Sequence, residues 1–410
     1  MSFQIALSAL QAINSQLDNI SQNIANTGTT GYKSSRTNFA AMYSNASPNG
    51  VQAASSSQTL DVSGGLQTTG RNLDVAIAGK GYFQVVDNTG VTSYTRTGVF
   101  DVDANGRLVD HMGRSVQGYS MSAESDTLGA LGALTVPTGQ IPAQASNKVE
   151  YVGNLSADWV QASKPFITQA DLTAGKTPDP ASYNSSTVSV VYDSLGKQHT
   201  VTQYFSKQAD GSIDVNYILN GQSLLDTHTL QFGTDGQLVL KDASDAPTNV
   251  EKKALTFQPD GANAMNVEFS YLGTTRFAGD TSTTTNAANG YASGTMVNVQ
   301  IGADGALNVQ YSNGKVQRIG MLALASFRSE SGLVAVDGTS WQATAESGVA
   351  LLGTPGTGQF GELASQQLEQ SNVEVATELV DLMGAQRNYQ ANTKVISTQN
   401  EIMQSLMQVM

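Results

Sequence analysis

The sequence predicts an α+β chain of several domains, with paired, coiled-coil-like terminal helices around nested, mostly antiparallel β domains. Three observations predict it. Apolar residues recur every three or four positions at both chain ends, and in the middle they alternate in period two. The length of 410 residues is enough for two to four domains with cores of their own.

The first element is a helix of about 22 residues, with a seam at Phe3, Ala6, Leu10, Ile13, Leu17, Ile20 and Ile24 spaced 3, 4, 3, 4, 3, 4. Its opposite face carries small, nearly uncharged side chains such as Ser8, Gln11, Ser15 and Gln22, which let neighbouring helices come close. The C-terminal segment answers with Leu382, Ala385, Tyr389, Asn392, Ile396, Gln399, Met403, Leu406 and Met410. Leu368, Val375 and Leu379 carry that helical pattern back toward Glu362, so residues 1–26 and 362–410 are expected to form one terminal helical domain. A helix with so narrow a stripe needs partners on more than one side. The ends are therefore expected to be disordered in an isolated monomer and ordered in an assembly.

Residues 27–69 are rich in Ser, Thr, Asn and Gly without a sustained period, which predicts an extended connector. Strands are expected from Leu73, with Ala104-Asn105-Gly106 turning one hairpin, Asp193-Ser194-Leu195-Gly196 a second, and Asp304-Gly305 and Asn313-Gly314 two more. Polar stretches at 137–146 and 281–289 are read as crossings between domains. They divide the middle into an inner β domain, 70–145 with 287–361, and an outer inserted β domain, 146–286.

Composition excludes several functions. With 21 Lys and Arg against 34 Asp and Glu the net charge is −13, which opposes nucleic acid and anionic lipid as partners. The chain has no Cys, so disulfides, thiol catalysis and thiolate metal sites are absent. Its three His, at 111, 199 and 228, are scattered. The first basic residue is Lys33, so a cleaved signal peptide is not expected, and no apolar run of about 18 residues predicts a membrane span.

Motifs for chemistry are few. Gly356-Thr357-Gly358-Gln359-Phe360-Gly361 fits the dinucleotide pattern, yet only 49 residues of helical pattern follow it, so no second βαβ unit can form. Together with Gly353, these glycines at 356, 358 and 361 read as a hinge. Asp101-Val102-Asp103-Ala104-Asn105-Gly106 imitates the start of a calcium loop, but its twelfth position is Met112 rather than Glu, so a hairpin turn is expected and weak cation binding stays an alternative. Glu346 and Asp381 have no acid–base mate, and no nucleophile elbow, zinc helix or P-loop occurs. Neither catalysis nor a cofactor is expected.

Asn23-Ile24-Ala25-Asn26-Thr27, followed by Thr30-Gly31-Tyr32-Lys33, resembles the N-terminal signature of the bacterial flagellar axial proteins, the rod and hook family. Three further stretches agree, at 70–77, at 347–353, and at Leu368-Glu369-Gln370-Ser371-Asn372-Val373 with Ala385-Gln386-Arg387-Asn388-Tyr389-Gln390. The large inserted region resembles the hook branch rather than the short rod branch. The resemblance implies a structural, non-enzymatic subunit that polymerises with itself into a curved tube, a universal joint passing motor torque to the filament around a central export channel. It implies partners in the distal rod, the hook cap, the hook–filament junction proteins and the flagellar type III export apparatus, and a place outside the cell. A distal rod or other hook-like axial protein is the alternative within the family. A secreted calcium-dependent adhesin is the alternative outside it.

Overall fold

The computed structural model describes residues 2–44, 47–122, 125–240 and 251–409. The chain is mostly β and divides into two compact units, Met1–Thr138 with Val297–Gln310 and Val316–Met410, and Gly139–Met296 with Tyr311–Lys315. Among the described residues there are three α-helices: α1 Ser2–Ala25, the short α2 Gln169–Thr173, and α3 Val375–Val409.

In the second unit, two four-stranded sheets enclose one core. The first runs in the order Lys252–Phe257, Met265–Ser270, Lys148–Asn154, Ser282–Ala288, and the second runs in sequence order from Ser185–Tyr192 through Gln198–Lys207 and Ile213–Leu219 to Ser223–Leu230. All pairings are antiparallel except that of Lys148–Asn154 with Met265–Ser270. Alternating side chains such as Val149, Tyr151, Val201, Phe205, Val215 and Phe269 point inward and form that core.

A buried polar chain crosses it. The Tyr217 and Tyr271 hydroxyls meet at 2.7 Å, Tyr271 donates to Gln203 Oε1, Gln203 Nε2 donates to Ser189 Oγ at 2.7 Å, and Ser189 donates to Asn286 Oδ1. Every member is paired, so the chain links the two sheets without leaving an unsatisfied group.

The hairpin turns share one device. The carboxylates of Asp103, Asp110 and Asp193 each accept backbone N–H bonds from the residues two and four positions on, and each turn closes on a glycine at positive φ, namely Gly106, Gly113 and Gly196. The calcium-like run at Asp101 is therefore a hairpin: Phe100–Val102 pairs with Leu108–Asp110, and Asp103 is occupied by Asn105, Arg107 and its own turn.

Three expectations are corrected. Strands begin well before Leu73, because Ser35–Ser44 and Ser47–Gln58 pair as a hairpin inside the expected connector 27–69. The period of two was hidden there because Thr37, Ala40 and Met42 stand on the half-buried face where Val or Ile would mark it. Helix does not reach back to Glu362. Glu362–Ser365 pairs with Val75–Ala78 and Gln367–Glu369 with Leu66–Thr68, and Gln366 sits between them at φ 59°, outside helical backbone. Strand partners far away in sequence win over local helical spacing. Finally, 281–289 is no bare crossing, since Ser282–Ala288 is an edge strand; beside it, the two chain passages do run together, bridged at Ile141 to Gly294 and Gln144 to Tyr291.

Candidate assembly site at the chain ends

The site begins with the apolar stripe of α1. Ile13 and Ile20, flanked by Leu17 and Ile24, pack on Leu382 and Ala385 of α3. The other side of α1 is covered by the hairpin Ser35–Gln58. Asn19 donates to Thr37 Oγ1 at 2.6 Å, and the Val51 N–H donates to Ser8 Oγ at 3.3 Å. Gly50 allows this approach, because a Cβ there would stand 2.4 Å from Ser8 Oγ.

Below the helices, residues from both chain ends knot together. Asn23 is buried; its amide donates to Ser35 O and to Glu378 Oε1, both at 2.8 Å, and its oxygen accepts from Ser35 N and the Tyr32 hydroxyl. Gly31 turns the chain at φ 70° with its N–H on Glu369 O, and a Cβ there would meet Thr97 at 2.9 Å. Asn372 accepts from Ser34 N at 2.7 Å and donates to Thr59 and Val62. One asparagine from each chain end therefore fastens the same crossover.

At the centre lies a buried ion cluster. Lys33 Nζ donates to Glu369 Oε1 at 2.7 Å and to Val62 O at 2.6 Å, with both charged side chains fully buried. Glu369 also accepts from Gly64 N at 3.0 Å, and its second oxygen stands 3.5 Å from Arg96, which lies over the Tyr82 ring. Burial pushes the Lys33 amine below its usual range, opposed by Glu369. Burial likewise raises the Tyr32 hydroxyl and the Glu378 carboxyl, the latter opposed by its bond from Asn23.

The structure sorts the residues singled out by sequence. Asn23, Gly31, Tyr32, Lys33 and Asn372 converge on this junction, and Asn26 closes the turn after α1 by accepting from Thr29. Gln386 and Arg387 do not join it; both are exposed on α3. Along the seam, Leu10 and Ile396 are half-buried, while Phe3, Tyr389 and Met403 are exposed, at 43%, 38% and 55%. The Leu406 side chain lies outside the described residues.

Gly353, Gly356, Gly358 and Gly361 lie within one unit, in a closed loop where Gly356 N donates to Gly361 O and Gly361 N to Lys80 O. Sequence reasoning also passed over Glu369, Arg96 and Glu378. Glu369 had a signal of its own: it is a lone acid in the run from 363 to 373 of a chain with only 13% charged residues.

Four family descriptions match in chain order. Flagella basal body rod protein matches residues 3–33, and Flagellar hook protein FlgE/F/G D1 domain matches 76–157. Flagellar basal body protein FlaE D2 domain matches 154–291, and Flagellar basal body rod FlgEFG protein C-terminal matches 364–409. The flagellar hook protein FlgE of Salmonella typhimurium is 36% identical over 420 residues, covering 99% of each chain. This chain belongs to the flagellar hook protein family. The hook protein of Escherichia coli K12 is also 36% identical, with 99% of each chain covered, and that of Treponema pallidum is 30% identical over 462 residues, covering 98% of this chain and 97% of its own. The fold agrees with the crystal structure of Helicobacter pylori flagellar hook protein FlgE2, at TM-score 0.54 and 14% identity over 74% of this chain and 100% of that one. These three relatives, each covered to 97% or more of its length, are named as hook rather than distal rod proteins. Hook family members are structural proteins of the flagellum, and among the described residues no helix is long and apolar enough to cross a membrane.

Proposed function

We propose that this chain is a subunit of the bacterial flagellar hook that polymerises into a flexible, torque-bearing tube through a coiled-coil-like terminal domain built from 1–26 and the C-terminal helix. The observation that carries it is the uneven cover of the terminal helices. α1 and α3 bury Ile13, Ile20 and Ala385 between them, yet leave Phe3, Leu7, Leu379, Met383, Tyr389 and Met403 uncovered. A lone protein gains nothing by exposing such stripes, whereas copies packed side by side remove them from water at about 25 cal/mol per Å².

The division of labour in the tube follows from chemistry. Apolar helical stripes hold the inside together, and the low-charge β units supply shallower, polar contacts that can slide as the tube bends. The distal rod, hook cap and hook–filament junction proteins would meet the same chain ends at the limits of the polymer, and delivery outside the cell would run through the flagellar export apparatus.

The test is assembly of the purified chain at rising concentration, followed by sedimentation and electron microscopy. The full chain should form tubes. Ile13→Asp, which sets an unpaired charge between the helices, should leave both β units folded and form none. Normal tubes from Ile13→Asp, or from a chain cut back to residues 27–374, would overturn the proposal.

A further inference from the structure

Two hairpin turns of the second unit are tied together through one buried imidazole. His199 is 5% exposed, with Nε2 2.9 Å from Asp193 Oδ2 and Nδ1 3.1 Å from Asn220 Nδ2. Asp193 belongs to the turn before the strand Gln198–Lys207, and Asn220 to the turn after Ile213–Leu219.

The Asn220 amide settles which ring nitrogen carries the proton. Its Oδ1 accepts from Thr200 N at 2.9 Å, so its NH2 faces the ring and Nδ1 must accept. The single ring proton is then on Nε2, which donates to Asp193. That carboxyl is ionised: burial pushes it up, but the bonds from His199 and from the Lys197 and Leu195 N–H groups outweigh burial and hold it below its ordinary value. Val191, opposite on the neighbouring strand, and Phe257, edge-on with ring centroids 6.4 Å apart, bring no charge to the ring.

The two ends of the ring therefore favour opposite charge states. Beside Asp193 a second proton makes a buried ion pair, whereas on Nδ1 that proton sets N–H against NH2. Turning the Asn220 amide over relieves this clash only by leaving the Thr200 N–H opposite NH2, without an acceptor.

We propose that His199 is a proton-operated switch between these turns: neutral, it fastens Asn220 to Asp193, and charged, it keeps Asp193 and lets Asn220 go. The tie is present above the pH at which the ring charges and is lost as the pH falls through it. The change reaches α2, because Gln169 donates to Gln222 O and accepts from Leu224 N beside the released turn. The Asp193 turn, whose Gly196 lies against Ala143 and Ala292, stays closed.

The test is nitrogen NMR of the isotope-labelled full chain, the His199 ring signals being those lost in His199→Gln. Before the ring charges, Nδ1 should resonate as a bare nitrogen and Nε2 as a protonated one. On acidification both should become protonated, with the Asn220 and Thr200 amides shifting at the same midpoint and those of Leu195 and Lys197 holding still. Asn220→Asp, which offers a charged ring a carboxylate and keeps an acceptor for the Thr200 N–H, should raise that midpoint by about one pH unit or more. A neutral ring with its proton on Nδ1, a ring that stays neutral until the unit unfolds, Asn220 and Thr200 signals that ignore the midpoint, or a midpoint unmoved in Asn220→Asp would each overturn the switch.

Discussion

Lys33 and Glu369 stand 336 positions apart in the chain and meet at 2.7 Å with both side chains fully buried. The pair joins the backbone just after α1 to the strand that leads into α3. Removing one partner leaves a desolvated charge, at a cost of about 3–5 kcal/mol, whereas replacing both by apolar groups is far milder. Glu369→Ala should therefore lower the denaturant midpoint of the unit that carries the chain ends and leave the other unit's transition in place. Lys33→Met with Glu369→Leu should recover much of the loss. Equal destabilisation by the single and double variants, in urea melts followed by circular dichroism, would show that the pair acts only through packing.

Alkali should open the core of the other unit. Burial raises the hydroxyls of Tyr151, Tyr217 and Tyr271 above the ordinary value of 10.0. The folded chain keeps these protons where the unfolded chain has lost them, so the stability they contribute is present below pH 10 and is lost as the pH rises through the folded values. A spectrophotometric titration should show the exposed tyrosines ionising near their normal pH, and these three only together with loss of the unit's β signal. Ionisation of all 14 tyrosines near pH 10 with that signal intact would contradict it.

The glycine loop should respond as a packed turn. A Cβ on Gly361 would stand 2.5 Å from Ala78 O, and one on Gly353 would stand 2.2 Å from the Phe360 ring. Gly361→Ala should then destabilise its unit by about 1–3 kcal/mol, read as a lower urea midpoint. A variant of unchanged stability that formed only straight tubes would instead show that the loop acts as a hinge.

Much of this architecture was legible in the residues. Ile13, Ile20 and Ala385 announced their helices by spacing, and the turns at Asp103 and Asp193 were marked by Asp with a following Gly. Long-range pairing was what hid the rest. The strand Gln367–Glu369 exists because Leu66–Thr68 lies beside it, and no local period reveals a partner 300 positions away. The hairpin after α1 escaped notice because its inward face is made of Ala, Met and Thr, whose size suits a helix lying close above. In the junction, Asn23, Lys33 and Asn372 could be picked out only by resemblance; their hydrogen-bond partners are mostly backbone atoms, which carry no sequence signal.

Hydrogen exchange of the two terminal helices, measured in dilute chain and in assembled tubes, is the most direct check on assembly through the chain ends. Amides of α3 beyond Tyr389, where the helix lies exposed, should exchange readily in dilute solution and become strongly protected in the tube, while the β core around Val201 and Phe269 is slow in both. Helices protected equally in dilute chain and tube, or tubes whose terminal amides stay open, would contradict it.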